Sequence, residues 1–186
     1  GGLRAIEIAE GDELISVKVT KEDCNIIIGT HNGMAIRFSE NDVRPMGRTA
    51  HGVRGIRLKD GDFVVGAVTL RDGAKLLTVT ENGYGKKTDF DEYKLQTRGG
   101  QGVFNYKLTE KTGKVVGLKA VTDDDDVMMI TSDGVLIRMH TAEISTYGRQ
   151  TQGVRVMRLD DGVQVVSLAR TEHLIEDESE EISDEE

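Results

Sequence analysis

The chain repeats itself about every fifty residues, and that period restricts its fold more than any other feature. Gly2, Gly52, Gly102 and Gly153 stand 50, 50 and 51 residues apart. The turn pairs Asn32-Gly33, Asn82-Gly83 and Asp133-Gly134 recur at 50 and 51, and so do the cations Arg37, Lys87 and Arg138. The Val-rich runs LISVKV (14–19), VVGAVTL (64–70), VVGLKAV (115–121) and VVSLART (165–171) begin 50, 51 and 50 residues apart. So many landmarks in step define a repeat protein.

Each unit reads as four strands. The Val-rich run is the first. The second and third form a hairpin such as VMMITSDGVLIRM (127–139), where Asp-Gly supplies the positive φ angles of a tight turn. The fourth is VRGIRL (53–58), VFNYKL (103–108) or VRVMRL (154–159). In it Ile56/Leu58, Tyr106/Leu108 and Met157/Leu159 share one face, with Arg57, Lys107 and Arg158 on the other. A connection such as TAEISTYGRQTQG (141–153) joins strands three and four. No 3.6-residue period is present. The reading is all-β: a propeller-like array of four-stranded blades, with about 50 residues per repeat. Full repeats are placed at 12–62, 63–114 and 115–164, flanked by partial ones at 1–11 and 165–171, as in a piece of a longer array.

Charge divides the chain in two. Nine of the 33 acidic residues stand in EHLIEDESEEISDEE (172–186), which has no Lys or Arg, so the body holds 24 acidic residues against 24 basic ones. The net charge of -9 therefore belongs to the C-terminal segment, which reads as a disordered acidic tail able to compete with an anionic ligand of the body. Cys24 is the sole cysteine, which excludes an internal disulfide or a cysteine metal cluster. No apolar run has the length of a membrane span and no signal peptide opens the chain, so a cytoplasmic protein without a membrane partner is expected.

Catalytic signatures are missing. There is no Walker loop, dinucleotide fingerprint or nucleophile elbow, and no cofactor or small-molecule substrate is expected. His31, His51, His140 and His173 are scattered without metal-ligand spacing, and no metal site is assigned. The run Asp123–Asp126 lacks the alternating oxygens of a calcium loop and reads as a solvated turn.

The chemistry resides instead in a recurring loop. QTRGGQG (96–102) has siblings MGRTAHG (46–52) and YGRQTQG (147–153), each with an arginine four residues before the glycine that opens strand four. Glycine permits close backbone approach and arginine offers a bidentate phosphate donor. A repeated turn requires the glycine but not the arginine, so Arg48, Arg98 and Arg149 read as a phosphate-binding ladder along one rim. Arg37, Lys86, Lys87 and Arg138 on the third strands form a second basic row.

The stretches VRPMGRTAHGVRGIRL (43–58), TENGYGKKT (80–88) and MMITSDGVLIRMHTAEISTYGRQTQGV (128–154) resemble the C-terminal domain family of the DNA gyrase A subunit, and with the repeat framing the likeness covers nearly all of 1–171. The resemblance implies a β-pinwheel, whose neighbouring blades exchange a strand, and a noncatalytic role in wrapping duplex DNA around a basic rim to support negative supercoiling. It also implies a heterotetramer with the B subunit of gyrase plus the rest of the A subunit, with ATP and Mg acting in other domains. The family's Q-R-R-G-G-x-G box is matched by Gln96, Arg98, Gly99, Gly100 and Gly102, with Thr97 at the second position, in a later blade than the family's own. DNA contacts are assigned to these residues, to Arg44, Arg48, Lys94 and Arg149 in the connections, and to Arg37, Lys86, Lys87 and Arg138. The alternatives are the corresponding domain of topoisomerase IV and a protein-docking propeller.

Overall fold

The structure, a computed structural model, describes residues 2–173. It contains eleven strands: β1 (Asn25–Thr30), β2 (Met34–Ser39), β3 (Val64–Thr69), β4 (Lys75–Thr80), β5 (Tyr84–Thr88), β6 (Val103–Phe104), β7 (Val115–Val121), β8 (Asp125–Thr131), β9 (Leu136–His140), β10 (Val154–Arg155) and β11 (Val165–Glu172). Three short 3-10 turns, at Glu40–Asp42, Phe90–Glu92 and Thr141–Glu143, follow β2, β5 and β9. No helix among the described residues is long and apolar enough to cross a membrane.

The three hairpins β1–β2, β4–β5 and β8–β9 form where the turn pairs predict them. Their geometry differs in one respect. Only the glycine takes a positive φ, at +83° (Gly33), +78° (Gly83) and +84° (Gly134), and Asp23 is the one described non-glycine residue that does so. Each glycine N–H donates to the carbonyl of a threonine three residues back, Thr30, Thr80 or Thr131. That is a type I turn closed by a left-handed glycine, which asks nothing unusual of the Asn or Asp before it. The same threonine accepts, through its hydroxyl, the N–H of Met34, Tyr84 or Val135.

Sheet composition departs from the one-unit blade. The orders are β3-β1-β2-β6, β10-β5-β4-β7 and β11-β8-β9. Each hairpin is thus flanked by strands one period further along the chain. β1 pairs with β3 and β2 with β6 across the repeat boundary, and β4 and β5 pair likewise with β7 and β10. This is the strand exchange of a pinwheel. The runs 14–19 and 53–58, expected as strands, form none, and no hairpin among the described residues pairs with them. Val17 and Val19 are 78% and 95% exposed.

Between successive sheets lie two apolar cores. The first joins Ile27, Ala35 and Val68 to Leu76, Phe90, Tyr93 and Leu118. The second joins Leu77, Val79 and Val121 to Val127, Met129, Ile144, Met157 and Val165. Leu118 packs on Gly29 and Gly66, and Leu168 packs on Gly117, where a Cβ would stand 2.5 Å from its Cδ2. A bare strand glycine is what lets the neighbouring sheet come this close. At the other end β11 extends to Glu172, one residue past the body boundary read from the sequence. The remainder of the expected acidic tail, 174–186, lies outside the described residues.

Candidate nucleic-acid interface

The box-like loop 96–102 is held against the preceding unit by its own backbone. Gly99 N–H donates to Gly55 O at 2.6 Å, and Gly100 O accepts from Arg57 N–H at 2.7 Å. Gly102 has φ +77°, and a Cβ there would run into the Ala35 carbonyl. Gln96 N–H donates to Arg37 O at 2.9 Å. The glycines therefore serve a close backbone crossing between two units.

The arginine has a structural task too, which its sequence context does not display. Arg98 donates from Nε to Asp42 O and from Nη1 to Arg54 O, both at 2.9 Å, while its N–H meets the Asp42 carboxylate. Arg149 repeats two of the three contacts one period later: its Nη1 donates to Phe104 O at 2.6 Å and its N–H to Glu92 Oε2 at 2.8 Å, while its Nε is buried without a partner. In these two connections a guanidinium thus clamps the loop to the fourth-strand segment of the unit before. No ion pair joins either side chain to a carboxylate among the described residues, and both are partly exposed.

The third-strand row is placed differently. Lys86 has no exposed surface; its Nζ donates to Gly148 O, Arg149 O and Thr151 O at 2.8, 2.6 and 3.0 Å and lies 4.6 Å from the Tyr106 ring centroid. Burial pushes its pKa down to about 7. Lys87 is 5% exposed and pairs with Asp123 at 2.9 Å. Arg138 pairs with buried Asp126 at 2.6 Å. Arg37 donates to the carbonyls of Phe90 and Tyr93 in the next 3-10 turn, and its Nε is buried without a partner. As placed, Arg37, Lys86 and Lys87 face the following unit and do not form an open second rim, whereas Arg138, on the edge strand β9, is exposed and pairs within its own hairpin. The reason is the exchange of strands: β2 and β5 are each covered by the connection of the following unit, as the bridges Arg37–Leu95 and Lys87–Thr146 show, while β9 has no such cover among the described residues.

Arg44, Arg48 and Lys94 are exposed and make no ion pair among the described residues. The structure adds a row that the sequence pattern displayed but the site assignment left out. Arg54, Arg57, Lys107, Arg155 and Arg158 on the fourth-strand segments are all exposed. The clamps bring them beside the loops: loop 96–100 hydrogen-bonds to Gly55 and Arg57, and Lys107 N–H donates to Thr151 O at 3.1 Å. For Arg57, Lys107 and Arg158 the signal in the sequence was alternation opposite Ile56, Tyr106 and Met157; Arg54 and Arg155 share the parity of Ile56 and Met157 and gave no such signal. Lys59 lies over Phe104 and Arg155 over Tyr84, at 5.9 and 5.6 Å from the ring centroids.

The Asp123–Asp126 run is only half a solvated turn. Asp125 and Asp126 are each 3% exposed. Asp125 binds Arg71 at 2.6 Å and Arg170 at 2.9 Å and accepts from Thr122 N–H. Burial drives the pKa of Asp125 up, but that N–H and the two guanidiniums outweigh it and hold the carboxyl below its usual range.

A family model described as the DNA gyrase C-terminal domain, a beta-propeller, matches residues 1–21, 25–71, 74–122 and 125–172. The DNA gyrase A subunit of Clostridium acetobutylicum is 54% identical over 185 residues, covering 100% of this chain and 22% of that protein. A solved DNA gyrase A C-terminal domain superimposes with a TM-score of 0.83 at 30% identity, covering 91% of this chain and 58% of the other. The C-terminal domain of a DNA topoisomerase IV superimposes at 0.81 with 25% identity, covering 89% and 52%. The chain therefore spans about a fifth of the curated relative it matches. With the family model covering most of its length and a pinwheel exchange of strands, the chain belongs to the DNA gyrase C-terminal domain family.

Proposed function

We propose that this chain is a noncatalytic part of a cytoplasmic DNA gyrase A subunit that binds duplex DNA along its phosphates and bends it. In the heterotetramer with the B subunit it supports ATP-dependent negative supercoiling, ATP and Mg acting in other domains. The reading rests most on one observation: the inter-unit clamp of Arg98 recurs one period later at Arg149 and sets these two loop guanidiniums beside fourth-strand segments that carry exposed cations. A duplex offers a phosphate every few ångströms, so a row repeating unit by unit suits it without reading sequence. Membership of the gyrase family points the same way.

The work to be done is mechanical. Curving a 20–30 bp site by 40–90° costs on the order of 1–6 kcal/mol. Phosphate contacts spread over several units offset it. With about six phosphates neutralised, affinity falls by roughly three orders of magnitude between 50 and 200 mM salt.

The test is charge reversal at exposed cations that support no clamp. Arg44→Glu, Arg48→Glu and Lys94→Glu together should weaken retardation of a linear duplex and lower the slope of log K against log salt by about 3. Circles nicked and religated with the parent chain should shift in linking number. Unchanged affinity and slope in the triple variant would remove these residues from the interface, and retardation without a linking shift would reduce the role to binding alone.

A further inference from the structure

Three side chains distant in sequence converge at the exit of the last sheet. Asp126 lies on β8, His140 ends β9, and His173 follows β11. The strand register sets them side by side, with Asp126 opposite His140 on one flank and Thr171 on the other. His173 N–H donates to Asp124 O at 3.0 Å and anchors the third member. Both imidazoles turn Nδ1 toward the same carboxylate oxygen, Asp126 Oδ1, at 3.1 Å for His140 and 2.6 Å for His173. The rings stack, with centroids 3.9 Å apart.

We infer that Asp126, His140 and His173 form a binding site for a borderline transition-metal dication of the Zn²⁺ class. One ligand atom from each residue lies within 4.8 Å of the other two. Metal–ligand bonds of about 2.0–2.2 Å in tetrahedral geometry place ligand atoms roughly 3.3 Å apart, so a small opening of the two contacts to Asp126 admits the ion. Two imidazoles and one carboxylate favour zinc over calcium or magnesium, which prefer all-oxygen shells. Arg138 Nε holds the other carboxylate oxygen, Oδ2, at 2.6 Å and orients the group as an outer-shell partner. With both Nδ1 atoms and the carboxylate on the metal, water takes the fourth position. The ion would fasten the chain leaving β11 to the two strands of the adjacent hairpin, immediately before the acidic sequence 174–186.

Zinc titration of the 186-residue chain against a chromogenic chelator tests this directly. One equivalent should bind, and His173→Ala and His140→Ala should each weaken it at least tenfold, while His51→Ala leaves it unchanged. The histidine variants retain every carboxylate of the acidic segment, so any nonspecific binding there cancels in the comparison. Zinc should also raise the melting temperature of the parent but not of His173→Ala. His173 is partly exposed, so that variant separates loss of a ligand from loss of the fold. Equal zinc affinity in the parent and His173→Ala, or an equal melting shift, overturns the assignment.

Discussion

Replacing Lys86 by Met tests what holds a box-like loop in place. Methionine keeps the apolar stem and removes the ammonium that serves the carbonyls of Gly148, Arg149 and Thr151. Two of the three retain another donor: Gly148 O accepts from Thr151 Oγ1 at 2.8 Å and Thr151 O from Lys107 N–H at 3.1 Å. Arg149 O is left alone. One stranded carbonyl in a dry site costs about 1–3 kcal/mol, and the lost contact with the Tyr106 ring adds about 1 kcal/mol. Against this, the variant no longer desolvates a charge. A net loss of about 2 kcal/mol is expected near pH 7, or roughly 4–8 °C in melting temperature for a chain of this size. The pH dependence supplies a second readout. Burial lowers the Lys86 pKa from 10.5 to about 7. Between those values the unfolded chain binds a proton that the folded one releases, so this group makes the parent more stable as pH rises from 7 to 10.5 and contributes no slope below pH 7. The Met variant lacks that slope. Thermal melts of both proteins from about pH 6 to 10 decide the matter; equal stability at pH 7 together with equal slopes would refute the burial of this ammonium.

Two further perturbations separate backbone from charge. Gly102→Ala should destabilise by about 3 kcal/mol or more, since the new Cβ meets the Ala35 carbonyl at a positive φ; Gly61→Ala, at a similar φ in open space, should cost only about 1 kcal/mol. Urea midpoints of the two variants will show the difference, and equal shifts would discount the close crossing. Ending the chain after His173 removes eight carboxylates and no cation, so DNA binding should tighten severalfold at about 50 mM salt and less at about 200 mM. Equal affinity at both salts would reject competition by the acidic segment.

The repeat, the hairpins and the all-β class are decided locally, and all three are legible in the order of residues. A glycine at each turn and alternation within each run act over a few residues, so Gly33, Gly83 and Gly134 mark their hairpins without knowledge of the rest. Which copies pair is a different matter. A shift by one period leaves the pattern unchanged, so nothing in the spacing says that β6 belongs beside β2 and not with its own hairpin; sheet packing in three dimensions selects that partner. The same packing decides the state of the cations. Arg48 and Lys86 both look basic and available in sequence, yet one stands in solvent while the other is enclosed by carbonyls of the following unit. His140 and His173 show the reverse: 33 residues apart and without a motif, they are brought onto one carboxylate by the register of three strands. Local forces are written in short stretches of chain, whereas burial, pairing and charge partnership depend on what arrives from a period away.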